Sequence, residues 1–139
     1  MVPLELARKL REAGLTWKPA PGDWFAVPDR GMDDEFFVLS DMTIQVYEVP
    51  EGGSLIGFNG TTEWALDDLD KDEAVWRPRE DQLRELLGTA FLALTRTADG
   101  DHVVTTVDGG FRADTAAEAY GYALLHLLGG ADDYPGRHV

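Results

Sequence analysis

The sequence predicts a single α+β domain, mainly antiparallel sheet, with three to four helices packed on it. Three observations lead there. The hydrophobic repeat switches along the chain between helical spacing and strict alternation. The alternating runs are joined by turn-rich pieces short enough for antiparallel connections. The 139 residues, 44% hydrophobic and 10% aromatic, suffice for one core of ordinary size. The domain is read over residues 1–130, with residues 131–139 as a flexible tail.

The first helix follows Pro3, with Leu6, Leu10 and Ala13 at helical spacing and Gly14 as a left-handed stop. Its other face pairs Glu5 with Lys9 and Arg8 with Glu12 at i,i+4, an ordinary solvated face. After the stiff connector at residues 18–22, the period becomes two. Residues 24–27, 36–39, 44–49 and 55–58 read as four strands. Thr61 or Thr62 caps a short helix running through Leu69, with Trp64, Ala65 and Leu69 turned inward. Residues 74–76 read as a brief strand.

A second long helix opens at Pro78, carries Glu80 and Asp81 in its first turn, aligns Leu83, Leu86 and Leu87, and stops at Gly88. Residues 90–97 and 102–107 then alternate across Asp99-Gly100-Asp101, the strongest hairpin signal in the chain. Phe111, Arg112 and Ala113 add a third strand. The last helix begins with a capping-box spacing, Thr115 to Glu118, and runs to about Leu128 behind a broad apolar face.

Twenty-six acidic against twelve basic residues give a formal charge of −14. That balance weighs against direct contact with nucleic-acid phosphates or anionic lipid. The acidity is regional: residues 1–20 sum to +2, residues 21–76 to −12, residues 77–96 to +1 and residues 97–139 to −5. Cysteine is absent, which removes disulfides, thiolate catalysis and Cys-ligated metals. The N-terminal residues form no signal-peptide core, and residues 119–128 are too short to span a bilayer. A soluble cytoplasmic protein is expected.

Residues 78–88 (PREDQLRELLG), the hairpin of residues 90–107 and residues 113–119 (ADTAAEA) with their leucine-rich ending together resemble a group of short uncharacterised phage and bacterial proteins. The front, residues 4–15 with Trp17-Lys18-Pro19 and residues 23–30, is similar to a bacterial subset, some of which carry a pilus-assembly label. The shared motifs are helix starts, a hairpin and caps, so the resemblance implies an architecture and no catalytic residue. The chain holds no nucleotide-binding motif for an ATPase of pilus assembly.

Two acidic groups invite chemistry. Asp68, Asp70 and Asp72, within Asp67 to Glu73, imitate the opening of a calcium loop. The loop's later positions want Gly and Glu where this chain has Glu73 and Arg79, so a solvated helix end and turn is the plainer reading. Asp29, Asp33, Asp34, Glu35 and Asp41 surround the connection between the first two strands. Paired carboxylates there would suit acid–base work only across a cleft.

Nucleophilic chemistry has less to draw on. Ser40 and Ser54 lie in no nucleophile elbow, and His102, His126 and His138 have no zinc spacing. Gly52, Gly53, Gly57 and Gly60 lack the Lys-Ser or Lys-Thr of a phosphate loop. No cofactor is expected.

Trp24, Phe25, Phe36 and Phe37 put rings on both faces of two strands, as a partner-covered surface would. The leading expectation is therefore a non-enzymatic protein-interaction module that binds another protein or a second copy of itself. Its surface is sought among Trp24, Asp29, Asp33, Asp34, Glu35, Phe36, Asp41, Asp67 and Glu73. The alternatives are an acidic mimic of nucleic acid that docks on a basic protein, and a metal- or small-ligand-binding protein or enzyme built on the same carboxylates.

Overall fold

The computed structural model describes residues 1–28, 37–39, 44–48, 54–58, 68–70, 74–130 and 137–138. In chain order its elements are helix α1 (Leu4–Glu12), strands β1 (Trp24–Ala26), β2 (Phe37–Val38), β3 (Ile44–Glu48), β4 (Ser54–Phe58), β5 (Asp68–Asp70) and β6 (Val75–Trp76), then helix α2 (Glu80–Leu87). A 3-10 turn (Gly88–Ala90) leads into β7 (Phe91–Arg96), β8 (His102–Thr106) and β9 (Gly109–Ala113), and helix α3 (Ala116–Leu127) and β10 (Arg137–His138) follow. The fold is α+β, and every strand pairing is antiparallel. The chain divides into two compact units, Met1–Thr16 with Arg77–Val139, and Trp17–Trp76.

The first unit is a four-stranded meander, β10-β9-β8-β7, backed by helices. Its strands form where the alternation predicted them. Val104 stands opposite Leu94 on one side and Phe111 on the other, so these three share a face. Helix α3 packs on β8, β9, α1 and α2, and Leu10, Leu83, Val104, Phe111 and Leu124 make a fully buried core. Gly121 permits the close approach of α3 to α1, because a Cβ there would sit 2.5 Å from Leu6 Cδ2.

Helix starts differ in detail from the sequence reading. Helix α2 begins at Glu80, and the Arg79 N–H at its cap donates to Gln82 Oε1 at 2.9 Å. At α3 the Thr115 hydroxyl oxygen accepts the Glu118 N–H at 3.2 Å, and the hydroxyl donates to the Glu118 carboxylate at 3.3 Å. This keeps one arm of the expected capping box and replaces the other with a side-chain contact. On α1, Arg8 reaches Glu5 at 3.7 Å, an i,i+3 pair.

Residues 137–138, expected in a flexible tail, pair with Phe111 and Gly110 of β9. Their backbone satisfies the outer side of a strand that would otherwise be the sheet's edge.

The unit Trp17–Trp76 has two three-stranded sheets, β2-β1-β6 and β3-β4-β5. Strand β1 pairs locally with β2, and with β6 about fifty residues further on, Phe25 facing Trp76 and Ala26 facing Val75. Trp17, Phe25, Val27, Leu39 and Ala74 are buried together with Phe37 and Trp76 against them. The rings of Trp17 and Phe25, and of Phe25 and Phe37, lie 5.5 Å apart. Asp23, 3% exposed, accepts from the Trp17 indole N–H at 2.9 Å and the Ala20 N–H at 3.1 Å.

The helix expected to run through Leu69 is corrected at its end. Asp68, Leu69 and Asp70 form β5, opposite Gly57, Ile56 and Leu55. A free strand edge on β4 offers each of these backbone groups a partner, which outweighs the weak helical signal of a short segment. Residues 61–67, where the cap and Trp64 were placed, lie outside the described residues. Among the described residues no helix is long and apolar enough to cross a membrane.

Candidate functional site

Most residues singled out by sequence lie outside the described residues: Asp29, Asp33, Asp34, Glu35, Phe36, Asp41, Asp67, Asp72 and Glu73. Trp24 is half-buried in β1, opposite Val38. Asp68 and Asp70 stand in β5, an extended paired strand, where a calcium loop would need loop backbone. Among the described residues no three His, Cys, Asp or Glu side chains stand where they could hold a metal ion. Two histidines make local contacts. His102 Nδ1 lies 3.2 Å from the Asp114 carbonyl oxygen. His126 packs its ring 5.4 Å from Phe111 and sets Nε2 3.6 Å from Asp108.

The described residues do assemble a different site, the open edge of the helix-backed sheet. Gly88 ends α2 with φ of 55°, a left-handed conformation that suits glycine. The 3-10 turn after it delivers the chain into β7. The ladder to β8 shifts register between Phe91 and Ala93, so Leu92 sits in a bulge. The Val107 N–H donates to the Ala90 carbonyl at 3.0 Å at one end of the hairpin. At the other, the Thr97 N–H donates to the Asp101 carbonyl at 2.8 Å. Counting back by twos from that bond, Thr95 and Ala93 direct their backbone groups at β8. Leu94 and Arg96 therefore direct theirs outward.

Strand β7 is the last in the order β10-β9-β8-β7, so among the described residues those outward groups have no strand neighbour. Exposed apolar side chains accompany them: Leu92 is 59% exposed, Leu94 39% and Val107, beyond the end of β8, 64%. Anchoring is on the helix side, where Phe91 packs its ring 5.7 Å from Tyr120. Burial pushes the Tyr120 phenol pKa up and keeps it neutral beneath the strand.

Charge at this edge runs against the chain's overall sign. No Asp or Glu occurs between Glu85 and Asp99. The Arg84 guanidinium stacks 4.7 Å above the Phe91 ring, a cation–π contact. Arg96 ends the strand. The two carboxylates of the hairpin turn are engaged elsewhere: Asp101 accepts from Arg112 Nε at 2.7 Å and Asp99 from Arg112 Nη2 at 3.3 Å. The hydrogen bond to Asp101, opposed by desolvation and aided by both carboxylates' charges, holds the Arg112 pKa above its ordinary value.

This is a strand edge whose outward backbone groups have no strand neighbour among the described residues, with His102 opposite Arg96 across the hairpin. The sequence reading marked the hairpin but not its edge as a site. The signal available was the acid-free run in a chain of this acidity; the open side itself depends on strand order, which local pattern does not carry. In comparisons with known proteins, no family model matches this chain, and no curated protein or solved structure matches it either.

Proposed function

We propose that this chain is a non-enzymatic protein-binding module that lengthens its helix-backed sheet by accepting a partner's extended segment along β7. The observation that carries the reading is the unpaired edge of β7 with Leu92 and Leu94 exposed along it. Unpaired strand edges are what natural sheets blunt with charge, proline or cover, because they template pairing with another chain. Here the strand has no proline, and its only charge is Arg96 at the end. Strand addition draws affinity from main-chain hydrogen bonds and specificity from alternate side chains. The test is capture from native lysate by the wild-type chain and by a Leu92→Lys/Leu94→Lys variant with an unchanged circular dichroism spectrum. A partner held by the first and lost by the second is expected. A partner held equally by both, or none, overturns the reading.

A second reading has its own support in the charge distribution. Residues 17–76 carry fourteen acidic and three basic side chains, against twelve and nine in the rest of the chain. Such a balance suits docking on a basic protein in place of nucleic acid. Competition with DNA for a basic partner, lost steeply with added salt, is the expected result, and salt-independent or absent competition removes it.

A further inference from the structure

We propose, on the basis of the strand-addition reading, that the segment accepted by β7 is acidic at both ends of its paired stretch, where it meets Arg84 and Arg96. Three observations converge on this. First, among the described residues these two arginines have no carboxylate partner. Arg8, Arg79 and Arg112 do pair with Glu5, Asp81 and the Asp99–Asp101 couple. Second, a partner within reach of Arg84 is declined. Glu80 precedes Arg84 at i,i+4, the favourable order for a helix pair, yet the guanidinium lies over Phe91. Asp101, opposite Thr97, falls on the other face of the sheet from Arg96 and, with Asp99, pairs with Arg112.

Third, the two cations bracket the site. Arg84 sits over the first residue of β7, and Arg96 is its last. Five strand steps span about 17 Å, with exposed Leu92 and Leu94 between. An added strand with carboxylates about five residues apart and apolar side chains between them matches that arrangement. The chain's net charge of −14 does not forbid such a partner, because charges beyond about 8 Å are largely screened at physiological ionic strength.

The test uses the full ¹⁵N-labelled chain and three synthetic peptides, each two Thr-Val repeats flanked at both ends by two Glu, two Gln or two Lys. Amide shifts of residues 93–96 report strand addition, and titration gives the Kd. The Glu-flanked peptide is expected to bind roughly tenfold more tightly than the Gln-flanked one, about threefold for each exposed ion pair. That advantage disappears in Arg84→Gln/Arg96→Gln and survives in Arg8→Gln. Leu94→Pro, which removes an outward N–H, abolishes binding of all three.

Equal affinity of the Glu- and Gln-flanked peptides overturns the acidic partner and leaves strand addition standing. Edge-amide shifts that grow with protein concentration in the absence of peptide assign the edge to a second copy and also overturn it. No edge shift with any peptide overturns both readings.

Discussion

Phe111 and Asp23 are both buried, and they hold their surroundings together by opposite means. Phe111 is fully buried in the helix-backed sheet of the unit formed by Met1–Thr16 and Arg77–Val139, opposite buried Val104 and with its ring 5.4 Å from that of His126. Asp23 organises Trp17–Trp76 through hydrogen bonds. Its carboxylate takes the Trp17 and Ala20 N–H groups, its own N–H donates to the Ala20 carbonyl, and its carbonyl accepts the Leu39 N–H. Beside it lies an apolar cluster that includes a cost, for among the described residues the buried Trp76 indole N–H has no hydrogen-bond partner. The contrast teaches that, among the described residues, a buried apolar ring and a buried, fully engaged carboxylate each organise their own surroundings.

Spectroscopy separates the two without labels. All four tryptophans lie within residues 17–76, and the three described helices lie in the other unit. Tryptophan fluorescence therefore follows one, and circular dichroism at 222 nm the other. The largest effect is expected from Phe111→Ala, about 3–5 kcal/mol from lost transfer energy plus a cavity. Urea unfolding should show it as a lowered dichroism midpoint, with the fluorescence midpoint moving less. Equal movement of both probes would break the comparison, because it would mean one cooperative unit.

Asp23→Ala comes next and runs the other way. It leaves two buried donors without their acceptor, at about 1–3 kcal/mol each before relaxation. The fluorescence midpoint is expected to fall by about 2–3 kcal/mol equivalent, with the dichroism midpoint nearly fixed. Asp23→Asn should recover part of the loss, since an amide oxygen still accepts.

A smaller effect is expected at the α3 cap. Thr115→Ala removes the acceptor for the Glu118 N–H, worth about 1 kcal/mol. It is read by dichroism, and Thr115→Ser should restore most of it. This variant tests whether local signals matter where packing is strong: α3 buries eight of its twelve residues. A loss well under 0.5 kcal/mol would mean that packing alone holds the helix.

The two units were also unequally legible in the sequence. Helices at Leu4–Glu12, Glu80–Leu87 and Ala116–Leu127, and the hairpin across Asp99-Gly100-Asp101, carry their own stop signals and local pairing, so pattern suffices. The strands at Trp24, Phe37, Ile44 and Ser54 were visible as alternation. The junction of β1 with β6 was not, because about fifty residues intervene and no local rule chooses the partner. Leu69 was misassigned for the same reason: its strand exists only through its ladder to Ile56. The acidic segments singled out by the sequence lie mostly outside the described residues, whereas the open side of β7 depends on strand order, which no local pattern carries.

The smallest effect concerns acid. The Arg79 side chain hydrogen-bonds Asp81 at 3.1 Å, and this contact, against a small opposing desolvation, holds the Asp81 carboxyl below its ordinary value of 3.8. A carboxylate whose pKa is lower folded than unfolded binds fewer protons in the folded state. Its contribution is therefore complete above the unfolded value and is lost as pH falls through about 4 and below.

The Asp81 side chain is 70% exposed, so screening limits the contribution to a few tenths of a kcal/mol. Its place in the first turn of α2 adds a favourable interaction with the helix N-terminus. Asp81→Asn is expected to lower dichroism-monitored stability by that amount at pH 6 and to match wild type near pH 2.5, with fluorescence-monitored stability unaffected at both. Half a molar salt should halve the difference. A variant that stays less stable at pH 2.5 would place the loss in packing. It would also remove charge from the account of how this unit, otherwise held by its apolar core, secures the helix that leads into β7.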